Sequence, residues 1–162
     1  MNFAEYNVKD ANLEEILLAL KSLDTVEAVG GSRSTGASDE NSDYDIYVYC
    51  AEIPTAETRE NLLGKYCSIA EFGNHYWESE DNTVMNNGIP VDIIYREVDR
   101  FGRYIDTVIK GGKAFNGYTT AFWHNIKNSK VLFDKTGTFT KFRDMAQIDF
   151  PENLRSAIIK NN

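Results

Sequence analysis

Apolar positions recur along the chain with two different periods, and the switches between them outline the elements. Leu13, Ile16, Leu17, Leu20 and Leu23 follow Asn12 at helical spacing, and Glu15 stands three residues after Asn12 as in a capping box, so a helix is expected to start there. Thr25–Val29 reads as a strand that ends at Gly30-Gly31, and Asp43–Cys50 as the next strand. Pro54-Thr55 opens a helix through about Tyr66, with Leu62, Leu63 and Tyr66 turned inward. Residues 68–78 are ambiguous and include a strand. Thr83–Met85, Asn86-Asn87-Gly88 and Ile89–Tyr95 read as a hairpin with an Asn-Gly turn. Val98, Phe101, Ile105, Val108 and Ile109 form a helical stripe closed by Gly111-Gly112. A short helix near 119–128, a strand at Val131–Phe133 and helices near 138–147 and 152–160 complete the pattern.

This order of helix, strand, turn, strand, helix and hairpin implies a mixed α/β (α+β) class in one domain spanning residues 1–162, with a core at about 12–110 and a helical extension at about 118–162. A chain of 162 residues is long enough to bury a sizeable core. No apolar run approaches the ~20 residues that span a bilayer. The N-terminal Met1–Glu5 lacks the basic start and apolar stretch of a signal peptide, so a cytoplasmic chain is expected. Cys50 and Cys67, both among apolar or aromatic neighbours, read as buried free thiols of a reducing compartment.

The net charge of -8, with Lys and Arg scattered, argues against a partner whose phosphate backbone must be gripped, so neither nucleic acid nor membrane is an expected partner. It favours a small or cationic molecule, or a protein.

The chemistry concentrates between residues 30 and 45. Gly30-Gly31-Ser32-Arg33-Ser34-Thr35-Gly36 is followed at short range by Asp43-Tyr44-Asp45, which leads into the apolar Ile46–Tyr49. Residues i and i+2 of a strand share a face, so Asp43 and Asp45 project together. Two such carboxylates repel unless a cation stands between them, and Mg²⁺ suits a carboxylate pair that also meets substrate phosphates.

The run resembles the signature of the DNA polymerase β-like nucleotidyltransferase superfamily: Gly-Ser, a spacer, then Asp-x-Asp. Arg33, directly after Ser32, and Gly36, three residues beyond Arg33, fill places that many members share. The resemblance covers about residues 25–96 and implies a third carboxylate on a later strand, for which Asp92 in Ile89-Pro90-Val91-Asp92-Ile93-Ile94-Tyr95 is the candidate. It also implies the nucleotidyltransferase fold, a mixed, mainly antiparallel sheet backed by helices.

On this resemblance Asp43, Asp45 and Asp92 are the catalytic and metal-holding residues, with one or two Mg²⁺ ions as cofactor, and Asp92 is either a ligand or the general base. Gly31, Ser32 and Arg33 are the nucleotide-binding residues. Gly30 and Gly31 would let backbone approach a phosphate, Ser32 would offer a hydroxyl and an N–H, and a helix starting near Ser34 would add donors. Arg33 would pair with a triphosphate oxygen. The plainer alternatives are a strand-to-helix turn for the glycines, a surface ion pair with Asp39 or Glu40 for Arg33, and carboxylates tied to backbone donors for Asp43, Asp45 and Asp92. His75, Glu71, Glu78 and Glu80 are either the lining of an acceptor pocket or a solvated strand and loop. His124 reads as a core or edge histidine.

The function implied is transfer of a nucleoside monophosphate from an NTP, ATP foremost, to a hydroxyl of a small-molecule acceptor such as an aminoglycoside-type antibiotic, with release of pyrophosphate. Two alternatives stay open: a minimal nucleotidyltransferase antitoxin that adenylylates a partner toxin, and a non-catalytic nucleotide-binding module. The stretch from Leu132 to Leu154 looks like the connector of longer bacterial nucleotidyltransferases, so the expectation is either a truncated form or an acceptor site completed by a homodimer or partner subunit.

Overall fold

A computed structural model describes residues 10–33, 43–75, 79–111 and 129–146. Helix α1 (Ala11–Lys21) precedes strands β1 (Val26–Arg33) and β2 (Tyr44–Cys50). Helix α2 (Ala56–Leu63), a 3-10 turn (Gly64–Tyr66) and strands β3 (Cys67–His75), β4 (Ser79–Met85) and β5 (Pro90–Glu97) follow. Helix α3 (Val98–Gly111), strand β6 (Lys130–Asp134) and helix α4 (Thr138–Ala146) end the described part. The protein is thus mixed α/β, with a six-stranded sheet ordered β3-β4-β5-β2-β1-β6 and backed by helices. β2 and β5 pair in parallel; the other four pairings are antiparallel.

Two faces of the sheet are buried by different means. On one, Leu13, Ile16, Leu17 and Leu20 of α1 and Leu63 of α2 pack on Ile46, Val48 and Cys50 of β2 and on Val91, Ile93 and Tyr95 of β5. On the other, Phe101 of α3 and Phe139 and Phe142 of α4 close around Tyr49, with ring centroids 5.3–5.7 Å from it. The guanidinium of Arg96 lies 4.8 Å over the Tyr47 ring and 4.7 Å over Phe101, and donates to the Tyr49 hydroxyl at 2.9 Å. β2 is therefore covered on both sides, as a central parallel strand should be, and Asp45 is the one residue in it that is not fully buried. β4 and the first part of β5 alternate between buried and half-buried, so the second face stays open there.

Several element boundaries differ from the sequence pattern. The α1 cap is Asp10, whose carboxylate accepts from Asn12 N and Leu13 N at 3.0 and 3.1 Å. Asn12 lies inside the helix, and its amide ties Tyr66 O to Asn87 N across the molecule. The expected helix through Tyr66 ends at Leu63 and tightens into the 3-10 turn. The hairpin strand starts at Ser79 rather than Thr83, and its turn is closed by Gly88 with φ 88°. Cys67 is only half-buried, whereas Cys50 is fully buried, and both are free thiols. Among the described residues no helix is long and apolar enough to cross a membrane. The helices expected near 119–128 and 152–160, with His124, lie outside the described residues, as do the side chains of Ile105, Val108 and Ile109.

Candidate functional site

Strand pairing aligns the chemistry in one row. Asp45 of β2 stands directly opposite Asp92 of β5, Asp92 opposite Asn82 of β4, and Asn82 opposite Glu71 of β3. On the other side Asp45 faces Ser32 of β1. Directly paired residues share a face, so Ser32, Asp45, Asp92, Asn82 and Glu71 form a polar band across five strands. The next row along the strands is Gly30, Tyr47, Ile94, Glu80 and Asn74, and beyond it come Ala28, Tyr49 and Arg96. The face thus grades from carboxylates, at the start of β2, to an aromatic floor sealed by α3 and α4. Asp43, just before β2, is half-buried.

Carboxylates dominate the electrostatics. The Asp45 carboxyl is pushed up to about 6, first by burial and then by the negative charges of Asp92, Asp43 and Glu80. Asp92 accepts from the amide of Asn82, Nδ2 to Oδ1, at 3.0 Å. Asn82 Nδ2 also donates to Glu80 Oε2 at 3.1 Å, and Asn82 Oδ1 accepts from Asn74 Nδ2. All the acidic groups offer hard oxygen donors of the kind Mg²⁺ takes, and the mutual repulsion at Asp45 is what a cation there would relieve. Among the described residues no three His, Cys, Asp or Glu side chains are gathered tightly enough to ligate one ion.

The glycines need a correction. The strand does not end at Gly30-Gly31; β1 runs on through Arg33, which pairs with Tyr44. Packing explains both residues. A Cβ on Gly30 would overlap the Phe139 ring, and one on Gly31 would stand 3.0 Å from both Ile46 Cδ1 and Leu132 Cδ1. Gly31 therefore presents its side-chain position to the core, on the side opposite Ser32. Residues 34–42, including the helix start expected near Ser34 and the pairing of Arg33 with Asp39 or Glu40, lie outside the described residues, as do the side chains of Arg33 and His75 and the whole of Glu78.

Two features escaped the sequence reading. Asn82 joins the band, and the alternation of β4, with Asp81, Thr83 and Met85 buried, was the signal that Glu80 and Asn82 share the open face. On the opposite face Asp81 is fully buried and takes a two-pronged contact from Arg59, Nε to Oδ2 and NH2 to Oδ1, both at 2.9 Å. Arg59 also donates to Pro54 O and stacks 4.6 Å over Tyr95, so this pair clamps α2 to the sheet. No family model and no curated protein matches the chain.

Proposed function

We propose that the protein is a Mg²⁺-dependent nucleotidyltransferase of the polymerase β-like kind, with the corresponding fold, acting in the cytoplasm. One observation carries the reading: the second Asp of Asp43-Tyr44-Asp45 lies in exact register with Asp92 on the neighbouring parallel strand, beside Ser32. Carboxylates from two separate segments meet on one half-open patch, and Asp45 is raised first by burial and then by the charges of Asp92, Asp43 and Glu80.

In the reaction an acceptor hydroxyl oxygen attacks the α-phosphorus of an NTP in line, the bond to the β-phosphate oxygen breaks, and pyrophosphate leaves. Asp43 and Asp45 would hold Mg²⁺, which supplies neutralisation of triphosphate charge. Asp92 would take the hydroxyl proton; its position on a different strand from the Asp43–Asp45 pair supports that role. Ser32 can donate to a phosphate oxygen from the neighbouring strand. Glu71 and Glu80 extend the negative patch across β3 and β4, which favours a polycationic acceptor of the aminoglycoside type.

The test is a thermal-shift screen of the four NTPs with and without Mg²⁺, followed by pyrophosphate release with an aminoglycoside panel. Mg²⁺-dependent stabilisation by an NTP and acceptor-dependent pyrophosphate are expected. Stabilisation by no NTP, with or without Mg²⁺, would sink the reading.

A further inference from the structure

We infer that Asn82 is the positioning residue of the Asp92 carboxylate, an inference that rests on the transferase reading above. Asn82 is the direct cross-strand partner of Asp92, so its amide reaches the carboxylate without crossing the sheet. Its nitrogen spends both protons on anions: one on Asp92 Oδ1 at 3.0 Å, one on Glu80 Oε2 at 3.1 Å. Its oxygen accepts from Asn74 Nδ2. This pattern fixes which end of the amide faces which way. Reversed, the carbonyl would point at two carboxylates and the NH₂ at another NH₂.

The choice of donor matters for the chemistry. Among the described residues the Asp92 carboxylate is met by this neutral amide, while the Arg59–Asp81 ion pair lies on the other face. The amide holds Oδ1 in place and, among the described residues, leaves Oδ2 for the acceptor hydroxyl. A side chain with a single amide group is also short enough to be stiff, and Asn74 locks it from behind. Asn82 therefore acts on the hydroxyl only through Asp92.

The experiment measures pyrophosphate release from Mg·ATP with the acceptor found in the panel, together with the Mg·ATP thermal shift, for Asn82→Ala, Asn82→Asp, Asp92→Asn and the Asn82→Ala/Asp92→Asn pair. Asn82→Ala is expected to lower kcat about tenfold or more while KM for ATP and the thermal shift stay within about twofold. Asn82→Asp keeps the size but not the donor, and is expected to lose at least as much. In the Asp92→Asn background Asn82→Ala should cost nothing further. A variant Asn82→Ala with wild-type kcat, a loss that multiplies with that of Asp92→Asn, or a matching loss of the Mg·ATP shift would overturn the assignment while the transferase reading stood. A wild-type protein that neither binds Mg·ATP nor releases pyrophosphate removes the transferase reading, and this assignment with it. Asn82 is half-buried on the open face, and melting curves in chelator separate any failure to fold from loss of transfer.

Discussion

Asp45 and Asp92 are direct partners across the sheet's parallel pair, β2 and β5, two like charges at the same level of adjacent strands. Strand pairing alone would not select this. Opposed like charges destabilise a sheet, and Asp45 also interrupts an otherwise fully buried strand. The arrangement is costly for folding, and that cost supports the catalytic role proposed for the pair.

That cost has a pH dependence. The Asp45 carboxyl titrates at about 6 in the folded protein, above its ordinary value of 3.8. A raised carboxylate favours the folded state when protonated, so its penalty appears as pH rises from about 4 through 6. Without metal, Asp45→Asn should match the parent at pH 4 and exceed it at pH 7.5. The full shift would correspond to nearly 3 kcal/mol, and solvent screening of a half-exposed group reduces this to about 1–2 kcal/mol. Urea unfolding in chelator at the two pH values reads the gap, and a gap that does not open with pH would contradict the electrostatic account.

With Mg·ATP present the same substitution should act in the opposite direction. Asp45→Asn is expected to abolish the Mg²⁺-dependent nucleotide stabilisation, because Asp43 and Asp45 come from one segment beside Ser32. Asp92→Asn should retain much of that stabilisation and lose transfer by about 10²–10⁴-fold, on the order of 3–5 kcal/mol in the barrier. Thermal shifts and pyrophosphate release on both variants decide it. Equal loss of nucleotide binding would make Asp92 a metal ligand and not the base.

The strands and the site row were legible to different degrees. Alternation and the Asp-x-Asp run placed β2, β5 and the carboxylates, because period-2 patterning and an acid within an apolar run are local signals. Register is not local: nothing between Asp45 and Asp92 in the sequence says that they meet, since the parallel pairing depends on how α2 and the β3–β4 hairpin fill the crossover. Gly30-Gly31 misled for the same reason. A glycine pair reads as a turn, yet here Gly30 answers to a ring from α4, more than a hundred residues away, and Gly31 to Ile46 and Leu132. Asn12 is not the α1 cap: its amide is taken up by long-range bonds to Tyr66 O and Asn87 N, while Asp10 accepts the first N–H groups of the helix.

The buried Arg59–Asp81 pair should behave as a unit. Asp81 is fully buried and Arg59 nearly so, and Asp81 Oδ1 also accepts from Gly73 N at 2.9 Å. Removing one partner strands a charge, so Asp81→Asn or Arg59→Met should each cost about 3–5 kcal/mol. The combined Arg59→Met/Asp81→Leu change should cost well under the sum. Chemical denaturation of the three variants tests this, and additive losses would mean that the two charges are separately solvated.

Gly30→Ala distinguishes a packing role from a phosphate-approach role for the glycine pair. Its Cβ would overlap the Phe139 ring, and Phe139 is fully buried against Tyr49 with ring centroids 5.3 Å apart. The Tyr49 ring it packs against is itself held by Phe101 and Phe142, with centroids 5.5 and 5.7 Å away. Overpacking of this kind typically costs about 1–3 kcal/mol. Phe139→Leu in the Gly30→Ala background should recover part of the loss by vacating the space. Gly64→Ala serves as the control, since no atom lies within 4 Å of a Cβ there and the backbone is helical, so it should be neutral or stabilise by up to about 1 kcal/mol. The Mg·ATP thermal shift of Gly30→Ala should persist on a lower baseline. If the shift disappears while the unliganded melting temperature holds, the glycine serves the nucleotide directly and the packing explanation fails.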